Sequence, residues 1–195
     1  MKKLILICFV LLSTRSFSQS FMQGILQRLS FGIKGGANYS NYVNADFTTQ
    51  ALTGYHAGAL VDFKLTKNLF IQEEFLFSLQ GAKVRGNVFG KEDVKVSYMT
   101  VPILLKYRTN SGIYIEAGPQ AGMRISDNID KTQTGDFAKR LDLAAAGGLG
   151  YQSKSGFGAG VRYVAGLSGV GNFQSSNVKP DFRTSVIQAS VFYIF

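Results

Sequence analysis

Apolar and polar positions alternate along most of this 195-residue chain with a period of two. Between residues 54 and 65 one parity reads Tyr55, Ala57, Ala59, Val61, Phe63, Leu65, and the other Gly54, His56, Gly58, Leu60, Asp62, Lys64. The same division recurs over residues 113–125, 141–151 and 157–167, and the last segment carries Ile187, Ala189, Val191, Tyr193 and Phe195 on its apolar parity. The alternation predicts eight strands near residues 29–39, 54–65, 69–82, 94–107, 113–125, 139–152, 157–168 and 183–195. Strands of soluble sheets average roughly five or six residues, whereas tilted strands that cross a bilayer need roughly nine to eleven. Length therefore favours a membrane.

The connections alternate as well. Short turns are expected at Thr66-Lys67-Asn68, at residues 108–112 and at residues 153–156, with longer loops at 40–53, 83–93, 126–138 and 169–182. Short turns on one rim and long loops on the other mark outer-membrane barrels, whose periplasmic turns are short. The fold class expected is all-β, an eight-stranded antiparallel up-and-down transmembrane β-barrel with both termini in the periplasm.

Alternation alone also fits a soluble, lipocalin-like barrel, so the polar parity has to decide which face meets lipid. That parity is rich in glycine, including Gly54, Gly58, Gly118, Gly122, Gly148, Gly150, Gly158, Gly160 and Gly166, which suits a narrow interior. Among the glycines stand Asp62, Lys64, Glu74, Lys106, Glu116, Arg124, Asp142 and Arg162, charges of both signs that are expected to form an ion network in the lumen. An eight-stranded barrel is only just wide enough for side chains to fill it, so the network is expected to plug the lumen. Tyr107, Tyr151, Phe157, Tyr193 and Phe195 gather at the turn-side ends on the apolar parity, as an interfacial girdle would. Glu73 is a misfit on the lipid side, to be explained by a bulge or by interfacial depth, and Pro102 inside a strand is likewise expected at a bulge.

Met1-Lys2-Lys3, the nine-residue apolar run LILICFVLL and a small-x-small site at Ser16-Phe17-Ser18 read as a signal peptide over residues 1–18, leaving a single domain over 19–195. The only cysteine, Cys8, lies in that run, so the expected mature chain has no thiol chemistry. Removing Lys2, Lys3 and Arg15 lowers the formal charge from +9 to +6. A basic balance suits anionic lipid or nucleic acid, and export to the outer membrane argues against nucleic acid.

Several segments, in order, resemble one known family across nearly the whole mature chain: residues 70–81 (FIQEEFLFSLQG), 98–107 (YMTVPILLKY), 114–120 (YIEAGPQ), 141–151 (LDLAAAGGLGY), 162–168 (RYVAGLS) and the aromatic C-terminus. Together they are similar to the PorT-type, or porin-family, outer-membrane β-barrel domain. The resemblance implies an outer-membrane barrel with a narrow or plugged lumen. One branch of that family looks like a component of type IX secretion and gliding machinery. Val191, Tyr193 and Phe195 at alternate positions are similar to the signal read by the barrel-assembly machinery. Expected partners are outer-membrane lipid and lipopolysaccharide, that assembly machinery, and surface or secretion-system proteins.

Candidate chemistry is sparse. His56, the only histidine, could serve as a general base, but no motif places Ser and Asp or Asn beside it, and interior packing is the better reading. Asp127, Asp130 and Asp136 match no calcium loop, and Lys131 interrupts them. Gly35-Gly36 and Gly147-Gly148 open no helix and so cradle no phosphate. The loop cations Lys83, Arg85, Lys91 and Lys95 could meet lipopolysaccharide phosphates, although a solvated loop explains them too. No catalytic, metal-binding or cofactor-binding residue is expected. The leading function is a non-enzymatic structural or surface-interaction barrel; a small channel, a secretion component and a lipid-acting enzyme are the alternatives.

Overall fold

The computed structural model describes residues 19–43, 48–86, 90–127, 141–167 and 183–195; the expected signal peptide lies outside them. Eight strands, β1 (Leu29–Val43), β2 (Thr48–Lys64), β3 (Leu69–Gly86), β4 (Gly90–Arg108), β5 (Ile113–Asp127), β6 (Leu141–Gln152), β7 (Phe157–Gly166) and β8 (Arg183–Ile194), pair antiparallel in chain order. The barrel closes where β1 pairs with β8, from Gly32↔Ile194 to Val43↔Arg183, so no strand edge is left open. A helix that the alternation does not announce, α1 (Gln19–Leu26), precedes β1. Phe21, Met22, Ile25 and Leu26 do stand at helical spacing.

All eight strands fall where the alternation puts them, and their turn-side ends agree within about two residues. The loop-side ends of β1 to β4 run further than expected, and those of β5 to β8 agree within about two residues. Most of residues 40–53 and 83–93 is strand, with Thr48 opposite Arg85 and Gly86 opposite Gly90. Beyond the bilayer both faces of a strand meet water, so pairing continues after the apolar period has stopped. The expected loops at 126–138 and 169–182 lie almost wholly outside the described residues.

Odd-numbered residues of the strands face out and even-numbered residues face in. Ile115 is 60% exposed and Leu149 and Val191 are each 64% exposed, in a continuous outer surface of Ile, Leu, Val, Phe and Tyr. In water such a surface is an aggregation liability; against hydrocarbon it is the solvated face. The exterior therefore excludes the soluble lipocalin-like alternative.

The β4–β5 and β6–β7 turns are built alike. Thr109 and Ser153 each accept from the glycine that closes the turn, Gly112 and Gly156, and each hydroxyl donates to a carbonyl, of Ile113 and Phe157. Both glycines have positive φ, 98° and 92°, the left-handed position of a short hairpin with a bulge. The bulge expected at Pro102 is absent. Register is the same on both sides of Pro102, on the β3 and β5 flanks, and the ladder merely loses pairings beside a residue with no N–H to donate. Glu73 likewise lies in unbroken register between Val61 and Ile103, half-buried on the outer parity. The register shifts fall instead between Ala51 and His56 and between Ser97 and Tyr98.

The inner parity is more apolar than its glycines and charges suggest. Leu60, Tyr114, Phe192 and Ile194 cluster toward the turn side, and Leu104, Ala144, Ala146, Val164 and Val186 form a second cluster. Glycine makes room for the rings: a Cβ on Gly158 would strike the Phe192 ring. Gly158→Ala is expected to destabilise the barrel by about 1–3 kcal/mol. Phe192→Leu should recover part of that loss in the double variant, measured by urea unfolding in phospholipid vesicles; simple additivity would show that the ring is not the obstacle.

Candidate functional site

The chemistry of this protein is concentrated in its lumen, where inward side chains meet in layers. In the central layer each odd strand contributes one charge: Lys34 from β1, Glu74 from β3, Glu116 from β5 and Arg162 from β7. In a ring of eight, β3 and β7 stand opposite each other, and Arg162 reaches across to Glu74. Nη1 donates to Oε2 at 2.7 Å and Nη2 to Oε1 at 2.8 Å, a two-pronged pair. Arg162 Nε also donates to Glu116 Oε1 at 2.8 Å, and Lys34 Nζ donates to Glu74 Oε1 at 2.9 Å. All four side chains are buried.

The layer on the turn side is drawn mainly from even strands. Lys106 of β4 donates to Gln72 Oε1 at 2.7 Å and to Gln152 Oε1 at 3.2 Å, and lies 3.5 Å from Asp62 of β2. Its ammonium group sits over the rings of Tyr114 and Phe192, at 4.7 and 5.0 Å from their centroids. These two layers contain three cations, Lys34, Lys106 and Arg162, and three carboxylates, Asp62, Glu74 and Glu116, so their formal charges cancel.

A third layer surrounds His56. Nε2 accepts from Ser190 Oγ at 2.9 Å, and Nδ1 donates to Asn38 Oδ1 at 2.7 Å. The Asn38 amide donates to the carbonyls of Tyr55 and Leu79 and to Ser78 Oγ, each at 3.0 Å, which turns Oδ1 toward the ring. No local motif foretells these partners, because they arrive from β1 and β8. Serine, histidine and asparagine in this order form the hydrogen-bond chain of a hydrolase. Here His56 and Asn38 are 1% exposed and Ser190 9%, and the chain of bonds joins β1, β2 and β8.

Of the eight charges singled out from the sequence, Asp62, Glu74, Lys106, Glu116 and Arg162 meet in these layers. Lys64 does not. As the last residue of β2 it stands exposed at the turn-side rim, where water solvates it. Arg124 and Asp142 are half-buried toward the loop side, away from the central layer. Lys34, Gln72 and Gln152 were missed, although their inward parity was readable: Lys34 alternates with Gly32, Gly36 and Asn38. In the terminal strand Val191 and Phe195 are exposed, and the Tyr193 ring lies between Phe157 and Phe195, at 4.9 and 5.4 Å. Side chains of Lys83, Arg85, Lys91 and Asp127, and all of Asp130 and Asp136, lie outside the described residues; Lys95 is exposed on β4.

A family model described as the outer membrane protein beta-barrel domain matches residues 17–171. The chain belongs to that family. Its members' place in the outer membrane agrees with the lipid-facing exterior described above. No curated protein matches the sequence. Among solved structures, Neisserial surface protein A matches with a TM-score of 0.53 at 15% identity, over 85% of this chain and 97% of its own. Ail, the attachment invasion locus protein of Yersinia pestis, matches with a TM-score of 0.51 at 13% identity, over 85% and 98%. At these identities the likeness is one of fold.

Removing one member of the buried network leaves charges uncompensated, at a cost of roughly 3–5 kcal/mol. Glu74→Ala, which strands both Lys34 and Arg162, is expected to lower stability by about that amount in urea titrations. Adding Arg162→Ala to it should cost much less than Arg162→Ala costs alone. Equal costs in the two backgrounds would mean that the pair does not act as a unit.

Proposed function

We propose that this outer-membrane protein is a non-enzymatic barrel with a plugged lumen, whose role is structural or is exercised through contacts made at its rims. The observation that supports this reading is the Arg162–Glu74 pair, in which side chains from opposite walls of a narrow barrel meet across the lumen at 2.7 Å. The wall itself contacts lipid and, in the outer leaflet, lipopolysaccharide. The terminal strand offers Val191, Tyr193 and Phe195 to the barrel-assembly machinery. The two solved neighbours are by their titles a surface protein and an attachment protein, which suits a function at the rims.

The alternative of a PorT-like component of type IX secretion and gliding rests on the resemblance carried by residues 98–107 (YMTVPILLKY). It requires co-purification with secretion proteins and a secretion defect on deletion.

The plugged reading expects heat-modifiable migration in detergent gels and no steady conductance in planar bilayers. Glu74→Ala with Arg162→Ala should raise leakage of small solutes from vesicles. A stable single-channel conductance of the unaltered protein would replace the plug with a channel. A fluorophosphonate probe should leave Ser190 unlabelled in the folded barrel; labelling that His56→Ala abolishes would make the lumen serine catalytic.

A further inference from the structure

The turn-side mouth of the barrel is ringed by cations. With the strands in chain order, three hairpin turns and the β8–β1 junction stand at four corners of this end. Each corner carries positive charge: Arg28 before β1, Lys64 and Lys67 at the β2–β3 turn, Arg108 at the β4–β5 turn and Lys154 at the β6–β7 turn. Between the corners lies one basin of about 730 Å³, lined by Lys67, Arg108 and Lys154 together with hydroxyl and amide side chains such as Asn68, Thr109 and Ser153. Among the described residues no acidic side chain lines it. Asp62, the carboxylate at this end of β2, is buried beneath and engaged with Lys106.

The basin is also partly ordered before any ligand arrives. The Arg108 guanidinium lies over the Phe70 ring, 4.6 Å from its centroid, and Asn68 donates to the Arg108 carbonyl at 2.6 Å. A guanidinium held in place loses little freedom on meeting an anion. Cations spread around a concave, low-dielectric mouth focus a positive potential along the axis. Several charges at separate corners suit one compact ion bearing several negative charges better than a single carboxylate. Guanidinium, ammonium and hydroxyl donors match the many acceptor oxygens of phosphate.

We propose that this basin is a binding site for a multiply charged phosphate ligand from the aqueous compartment on the turn side. Lipid headgroups offer the same phosphate chemistry, and the exposed Tyr107, Tyr151 and Phe157 place the bilayer interface close to these turns. Most of the basin's polar lining, from Asn68, Arg108, Thr109, Gln152 and Ser153, belongs to the turns and to the inward face, which favours the soluble source, since a headgroup is tethered to acyl chains outside the wall.

The test is calorimetric titration of inorganic tripolyphosphate into the full barrel, folded in a zwitterionic detergent at low salt. One saturable site per barrel is expected, weakening steeply with added salt. The triple variant Lys67→Gln, Arg108→Gln, Lys154→Gln should bind at least tenfold more weakly. Because Arg108 packs on Phe70, the double variant Lys67→Gln, Lys154→Gln is measured beside it and should lose about fivefold with unchanged heat-modifiable migration. Non-saturable heats, or binding by both variants as tight as that of the unaltered barrel, would overturn the site. A preference for spin-labelled phosphatidylglycerol over phosphatidylcholine that the triple variant removes, without tripolyphosphate binding, would assign the cations to the lipid leaflet and overturn the proposed site.

Discussion

Arg162 and Glu74 face each other from opposite walls, and much of the barrel's interior can be understood from the need to bring them together. A guanidinium in a closed lumen needs acceptors around it, and Glu74 and Glu116 supply them from two strands. Glu74 in turn holds Lys34 from a third wall. The lumen must be narrow for these lengths to meet, which limits the strand number to about eight. Narrowness then demands glycine wherever a ring or a long side chain crosses, as Gly158 yields to Phe192.

Such a network adds little net stability over an apolar filling of equal volume, because its charges must be stripped of water first. Its value is specificity. A charge pairs only with a partner at the right height on another strand, so a slip of two residues along any ladder, which apolar packing tolerates, leaves ions unmatched. The apolar clusters around Leu60 and Leu104 fill space above or below the charged layers without imposing that discrimination.

Strand number, order and sidedness were legible in the sequence because a bilayer imposes an unbroken period of two on the outer face. The period is silent where the membrane ends, which is why the extensions of β1 to β4 toward the loops went unseen. Inward charges were legible by parity, and only their partners were not: residues 34, 74, 116 and 162 meet through curvature, which a linear pattern does not record. Lys64 shows the limit of parity alone, since it points inward at a height where the lumen has already opened to water. His56 shows the converse, a residue whose companions Asn38 and Ser190 come from two other strands. Pro102 proved milder than its chemistry suggested, because a missing N–H can be absorbed as a gap in the ladder without shifting register.

The antiparallel junction of β1 with β8 has a kinetic meaning. In an open sheet Glu74 and Arg162 would be four strands apart, on the order of 19 Å at the usual strand spacing, and neither could reach the other. Their compensation arises only when the first and last strands zip together, whereas Lys34 and Glu74, two strands apart on β1 and β3, can meet before closure. An arc of strands entering the bilayer before closure would carry bare charges into hydrocarbon, a steep barrier. The economical route is insertion as a nearly complete ring, with closure as the step that commits the chain, and the same barrier stands in the way of its coming apart.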